Sequence, residues 1–158
     1  MNRDEIPPDF AQLIDTVGPS EFPKLAHFFK HILRDDPKHL GALYAYGMIL
    51  LREDKPLEAF HYLRQAFLRR PTHTELQGNF LIACRRAKRF DDAYHAGTNI
   101  LKQLITDPVS SDVLKNLVLV TLHEACLELG RRGEIREILR DHCPVGYHYQ
   151  PGILMSFQ

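Results

Sequence analysis

Apolar residues recur along this chain at intervals of three and four, the spacing that gathers them on one face of an α-helix. Phe10, Leu13, Ile14 and Val17 form the first set, with Pro7 and Pro8 placed where a missing N–H costs nothing and Gly18 and Pro19 as a stop. Phe22, Leu25, Phe29, Ile32 and Leu33 form the second, with Ser20 as its N-cap and Pro37 as its end. Further helices are expected over 38–54, 56–70, 72–89, 90–105, 113–129 and 134–142. Pro56 suits the first turn of one, Pro71 ends it, and Thr74 caps the next. The polar break "TDPVSSD" precedes the helix starting near 113, which Ser111 or Asp112 caps, and Gly130 with Gly133 turns the chain into the last helix. Helical spacing accounts for every regular element expected here, so the fold class is all-α.

The helices also recur as a set. Pro37 and Pro71 stand 34 residues apart, "DDPKHL" is echoed by "RRPTHTEL", and His39 answers to His73 as Ala59 does to Ala93. His27, His61 and His95 fall on the same ladder. A 34-residue period resembles the tetratricopeptide repeat, a helix pair stacked into a solenoid. With Leu40 as a repeat start, Tyr46 and Gly47 fill the tight-packing pair, Ala59 is the small residue at the helix crossing, and Leu63, Ala66 and Pro71 complete the motif. Residues 74–107 match through Phe80, Cys84, Phe90 and Ala93, but depart from it at Leu81 and Gly97. Residues 6–39 and 116–143 match more loosely. The resemblance implies about three repeats with degenerate end caps over 1–143, best formed over 40–73 and 74–107, followed by an apolar C-terminal tail over 144–158.

What the resemblance implies for function is a concave surface that binds other proteins. The first helix of each pair lines that surface in the family. This places Tyr44, Met48 and Arg52 on it from one unit and Asn79, Ile82, Arg85 and Arg86 from the next. Val120, Thr121, Glu124 and Leu127 would follow from the last. Such a groove is apolar in the middle with a basic edge, suited to a peptide or helix segment that carries a carboxylate. One subfamily grips the C-terminal carboxylate of heat-shock chaperones with Lys, Asn and Arg at set positions. Asn79 matches one of them, but Tyr44, Met48, Leu117 and Thr121 occupy others, so that clamp is absent. The small chaperones of bacterial type III secretion are similar in length, charge and apolar groove.

Composition narrows the classes without adding chemistry. Twenty basic and twenty acidic residues cancel, which argues against a nucleic-acid binder. No apolar run reaches the roughly 18 residues of a membrane span, and "MNRDEIPPDF" has no signal-peptide core, so a cytoplasmic protein without membrane insertion is expected. Cys84, Cys126 and Cys143 are odd in number and without CxxC spacing, which fits reduced thiols better than a disulfide frame or zinc site. His27 and His31 have metal-compatible spacing but no third ligand, and position 127 is Leu where HExxH needs His. No catalytic residue, metal ligand or cofactor site is expected. Arg85, Arg86, Lys88 and Arg89 fit the positive charge favoured at a helix C-terminus. The tail carries Tyr147, Tyr149, Ile153, Leu154, Met155 and Phe157, an apolar surface suited to packing on the last helices, in the groove or against a second copy as a homodimer. The sequence therefore points to a non-catalytic adaptor or chaperone, with a self-assembling scaffold subunit as the rival class.

Overall fold

The computed structural model describes residues 3–6, 10–106 and 112–142. The proline start at Pro7 and Pro8, the cap at Ser111, Cys143 and the tail lie outside them, as do the side chains of Phe10 and Leu13. Regular structure among the described residues is helical throughout: α1 (Phe10–Thr16), α2 (Phe22–Asp35), α3 (Leu40–Arg52), α4 (Pro56–Arg69), α5 (Thr74–Arg86), α6 (Phe90–Thr106), α7 (Asp112–Glu128) and α8 (Arg132–His142). They form two compact units, Met1–Ala87 and Lys88–Gln158, whose boundary falls inside the sequence unit 74–107.

In the first unit α3 is the hub. It packs on α2, α4, α1 and α5, and α4 packs in turn on α5. Every residue from Leu40 to Leu51 is buried, as expected for a helix that is apolar all round. Its neighbours are amphipathic and turn one stripe inward: Phe22, Phe29 and Leu33 from α2, and Ala59, Phe60, Leu63 and Ala66 from α4. The α3–α4 crossing is close because Gly47 has no side chain. A Cβ there would lie 2.6 Å from Leu63 Cγ and 2.9 Å from Leu63 Cδ2. Phe80 of α5 stacks on Phe60 and Phe67 of α4, at centroid distances of 5.9 and 4.6 Å.

In the second unit α6 packs on α7 and α7 on α8. Gly97, which the repeat motif would fill with a bulky residue, is a contact point: a Cβ would lie 3.0 Å from Leu122. Tyr94 of α6 donates to the Glu134 carboxylate of α8 at 2.5 Å, and the Arg131 guanidinium sits 4.3 Å from its ring centroid.

The helix ends explain why the elements stop where they do. His39 and His73, not Thr74, are the N-caps of α3 and α5. Nδ1 of each accepts a backbone N–H, from Ala42 at 3.2 Å and from Leu76 at 3.4 Å. Ser20 makes no cap for α2; a 3₁₀ turn over Pro19–Glu21 leads into it instead. Asp112 is the first residue of α7 and not a residue before it. At the other ends Asp54, Lys88 and Gly130 take the left-handed conformation, with φ of 57°, 54° and 71°. After α3 and α7 this produces the paired 6→1 and 5→2 bonds that close a helix: Lys55 N–H to Leu50 C=O with Asp54 to Leu51, and Arg131 to Cys126 with Gly130 to Leu127. Gly133 takes no part in the last turn; it lies inside α8.

Gly47 and Gly133 provide an internal comparison. Alanine in place of glycine favours a helix by roughly 1 kcal/mol, but overpacking a closed core costs about 1–3 kcal/mol. Leu63 is fully buried and has nowhere to go, whereas a Cβ at Gly133 meets nothing within 4 Å. Urea denaturation should therefore show G47A lowering the unfolding free energy and G133A leaving it equal or higher. A stabilised G47A would mean that the crossing is not tight.

Candidate functional site

Of the residues expected on a binding face, those of α3 and α5 belong to the first unit, and the structure divides them. Tyr44 and Met48, expected on an open groove, are interior: their exposures are 0% and 1%. Nothing could touch them without first moving a neighbour, so truncating them to alanine would read out on folding, at a cost of about 2–5 kcal/mol for a buried Met. Arg52 is exposed and donates to the Asp15 carboxylate of α1. Arg86 is exposed and occupied as well. It donates from Nη1 to the Leu51 carbonyl at 2.9 Å and from Nη2 to Asp54 at 2.6 Å, so it caps the C-terminal end of α3. Positive charge there also meets the negative end of the helix dipole.

Asn79, Ile82 and Arg85 of α5 are half-buried and reach the surface. Glu75, Asn79, Ile82 and Arg86 follow the i, i+4, i+7, i+11 course of one helix face, and Arg85 lies at its edge, one turn on from Ile82. The opposite face of α5 is closed by Leu76, Phe80, Leu81, Ala83 and Cys84. Asn79 Nδ2 donates to Tyr44 Oη at 2.8 Å, which joins this face to the interior of α3. Burial pushes the Tyr44 phenol well above its usual pKa; the Glu75 and Asp15 carboxylates add to the shift, and Asn79 and Arg52 oppose it. A neutral phenol in a closed site can accept from Asn79 without the cost of an ionised oxygen.

In the second unit, Val120 and Thr121 are buried, Glu124 is half-buried and Leu127 exposed. Thr121 Oγ1 donates to the Leu117 carbonyl at 2.7 Å, a bond within α7.

Two features were not anticipated from the sequence. The first is a cleft of about 320 Å³ between α2, α3 and α4, with Leu33, Leu43 and Tyr62 as its lining and Lys30 and Arg34 on its rim. Its residues come from three helices, and no spacing along the chain joins them. The second is the contact that Arg3 and Asp4 make with the start of α3 and the end of α4. Leu40 N–H donates to the Arg3 carbonyl at 2.8 Å, Arg70 donates to the Asp4 carbonyl at 3.1 Å, and Arg69 reaches the Asp4 carboxylate. At the far end of α3, Ile14 is buried and Asp15 meets Arg52. Exposed ion pairs of this kind contribute only about 0–1 kcal/mol each, and the buried Ile14 adds apolar contact. The absence of any charge between Leu40 and Arg52 was the signal that α3 would be enclosed.

His27, His61 and His95 are all exposed, and among the described residues no group of three His, Cys, Asp or Glu side chains is placed to hold a metal ion. Cys84 and Cys126 are buried thiols outside any disulfide, and burial raises the Cys126 thiol above its ordinary pKa, away from the reactive thiolate. No described helix is long and apolar enough to cross a membrane.

The Tyr44 phenol links this site to pH. A phenol whose pKa is raised by folding stabilises the fold fully below about pH 10, its unfolded value, and loses that contribution as pH rises further. Denaturation midpoints should therefore fall above that pH, and fall less in Tyr44→Phe. At neutral pH the same variant should lose about 1 kcal/mol, since Asn79 loses its acceptor. An alkaline decline identical in both chains would remove Tyr44 from the account. Compared with protein-family models, curated proteins and solved structures, the chain matches none.

Proposed function

We propose that this chain is a non-catalytic protein-interaction module of the tetratricopeptide kind, an adaptor or chaperone that holds a peptide or helix of a protein partner. The repeat reading is supported by local geometries that recur 34 positions apart: the caps at His39 and His73, the left-handed closures at Asp54 and Lys88, and the buried Ala59 and Ala93. The likeness to type III secretion chaperones rests on the length and balanced charge of the sequence.

The observation that carries the binding reading is the α5 face. Asn79, Ile82 and Arg85 are accessible at its centre, held by a helix whose other side is locked into α4 and α3. A rigid helix presenting an aliphatic side chain beside a guanidinium suits a segment that brings an apolar residue and a carboxylate. Tyr44 and Met48 then support that face from below and do not touch the partner. An arrayed peptide library probed with the labelled chain should select acidic–apolar segments. The variant Ile82→Glu with Arg85→Glu should lose about 10-fold in affinity, equivalent to roughly 1.4 kcal/mol, at an unchanged denaturation midpoint. Selection unchanged by that variant would remove α5 as the site.

A second reading, a self-assembling scaffold subunit, is favoured by Phe28, Leu57 and Leu68, whose exposures of 57%, 54% and 63% are high for such large apolar groups. Leu57 and Leu68 are eleven positions apart on α4, hence on one face. Light scattering should then report an oligomer that Leu57→Glu with Leu68→Glu dissociates. A monomeric wild-type chain would exclude assembly through α4.

A further inference from the structure

The cleft between α2, α3 and α4 plays no part in the reading above, and we infer that it is a second anchor site, one that takes a partner segment carrying one apolar side chain flanked by carboxylates. Lys30, Leu33, Arg34 and Pro37 meet it at i, i+3, i+4 and i+7 along α2 and the residue pair that follows. Tyr62 and Gln65 meet it from α4, and Leu43 from α3. Leu33 and Leu43 are buried, which makes the floor apolar. Lys30, Arg34 and Gln65 are exposed and form the rim. Tyr62 is the wall between them, its ring held edge-on against Tyr46 with centroids 4.7 Å apart.

The lining has two cations and no anion. Among the described residues the Lys30 ammonium has no ion pair and the Tyr62 hydroxyl no hydrogen bond. Arg34 donates from Nη2 to His31 Nε2 at 2.7 Å and from Nε to Asp35 at 3.4 Å, which orients its guanidinium and leaves further N–H groups to donate. Asp35 offsets part of that charge from outside the lining. An apolar floor beneath uncompensated positive charge favours a group that pairs a large aliphatic side chain with carboxylates. Size selects the kind of molecule. At about 320 Å³ the cleft is at the small end of ligand pockets, and its exposed rim leaves one side in water. It therefore fits one residue of a longer chain, whose flanking acidic residues meet Lys30 and Arg34. This rests on the protein-binding reading above but uses none of the α5 residues, so either can fail alone.

The probe is a synthetic pentapeptide, blocked at both ends, with leucine between two pairs of glutamates. Titrated into the labelled full-length chain, it should shift the backbone amide signals of Leu33, Leu43 and Tyr62 in nitrogen–proton correlation spectra. Glutamine in place of the glutamates, or glycine in place of the leucine, should weaken binding at least ~10-fold. Lys30→Glu with Arg34→Glu should do the same at an unchanged denaturation midpoint. Gln65→Lys, which adds a cation to the rim from another helix, should tighten binding about 2–4-fold, a gain that damage to the fold does not produce. Ile82→Glu with Arg85→Glu should leave the affinity within ~2-fold, since those charges lie outside the cleft. Absence of shifts at Leu33, Leu43 and Tyr62, equal binding of the glutamine peptide, or no gain in Gln65→Lys would overturn the inference. Shifts confined to Asn79, Ile82 and Arg85 would give the peptide to the α5 face and overturn it as well. Isocaproate binding as tightly as the peptide would assign the cleft to a free carboxylic acid. The same amides shifting on dilution of the chain alone would assign it to a second copy, and either result overturns the partner-segment proposal.

Discussion

The first unit depends on a helix that has no solvent face. From Leu40 to Leu51, α3 carries neither charge nor an exposed side chain, and α1, α2, α4 and α5 are placed by the need to cover it. Burial of large apolar groups at roughly 1.5–3 kcal/mol each makes this the main source of cohesion in the unit. The constraint is geometric as well as energetic. Four neighbours can share one helix only if some approach closely, and Gly47 against Leu63 provides one such approach. The polar groups drawn into that environment are paired: among the described residues no buried side-chain nitrogen or oxygen lacks a partner.

That constraint reshapes the surface proposed for binding. Once α3 is enclosed, Tyr44 and Met48 become support and the accessible surface moves to α5, where Asn79 joins the two layers through the Tyr44 phenol. The arginines divide in the same way. Arg86 holds the end of α3 and Arg52 pairs with Asp15 of α1, while Arg85 is half-buried on α5 one turn from Ile82. The charges that look like one basic edge in the sequence thus perform separate tasks, decided by which carbonyl or carboxylate lies within reach.

The helices themselves were legible from the chain. Apolar spacing, the prolines at 37, 56 and 71 and the glycine at 130 located all eight to within a few residues, because helix formation and termination are set by local sterics and by the hydrophobic stripe. The caps were less legible. Ser20 and Thr74 have the residue types that cap helices, but His39 and His73 hold the position, since the chain entering each helix puts an imidazole nitrogen over the first free N–H groups. Gly97 reads as a departure from a motif; in space it admits Leu122.

The sequence by itself determined the all-α class, the order and extents of the helices, the close crossing expected at Gly47 and Ala59, and the 34-residue spacing that ties His39 to His73. These follow from interactions between residues near in sequence, or from a volume requirement carried by one residue. Only the tertiary structure decided which of the candidate side chains reach solvent, that Arg3 and Asp4 meet the start of α3 and the end of α4, and that Lys30 and Arg34 rim a cleft with Tyr62. Those outcomes depend on which elements neighbour one another in space. Asp4 and Arg69, sixty-five positions apart, carry no local mark of the contact they make.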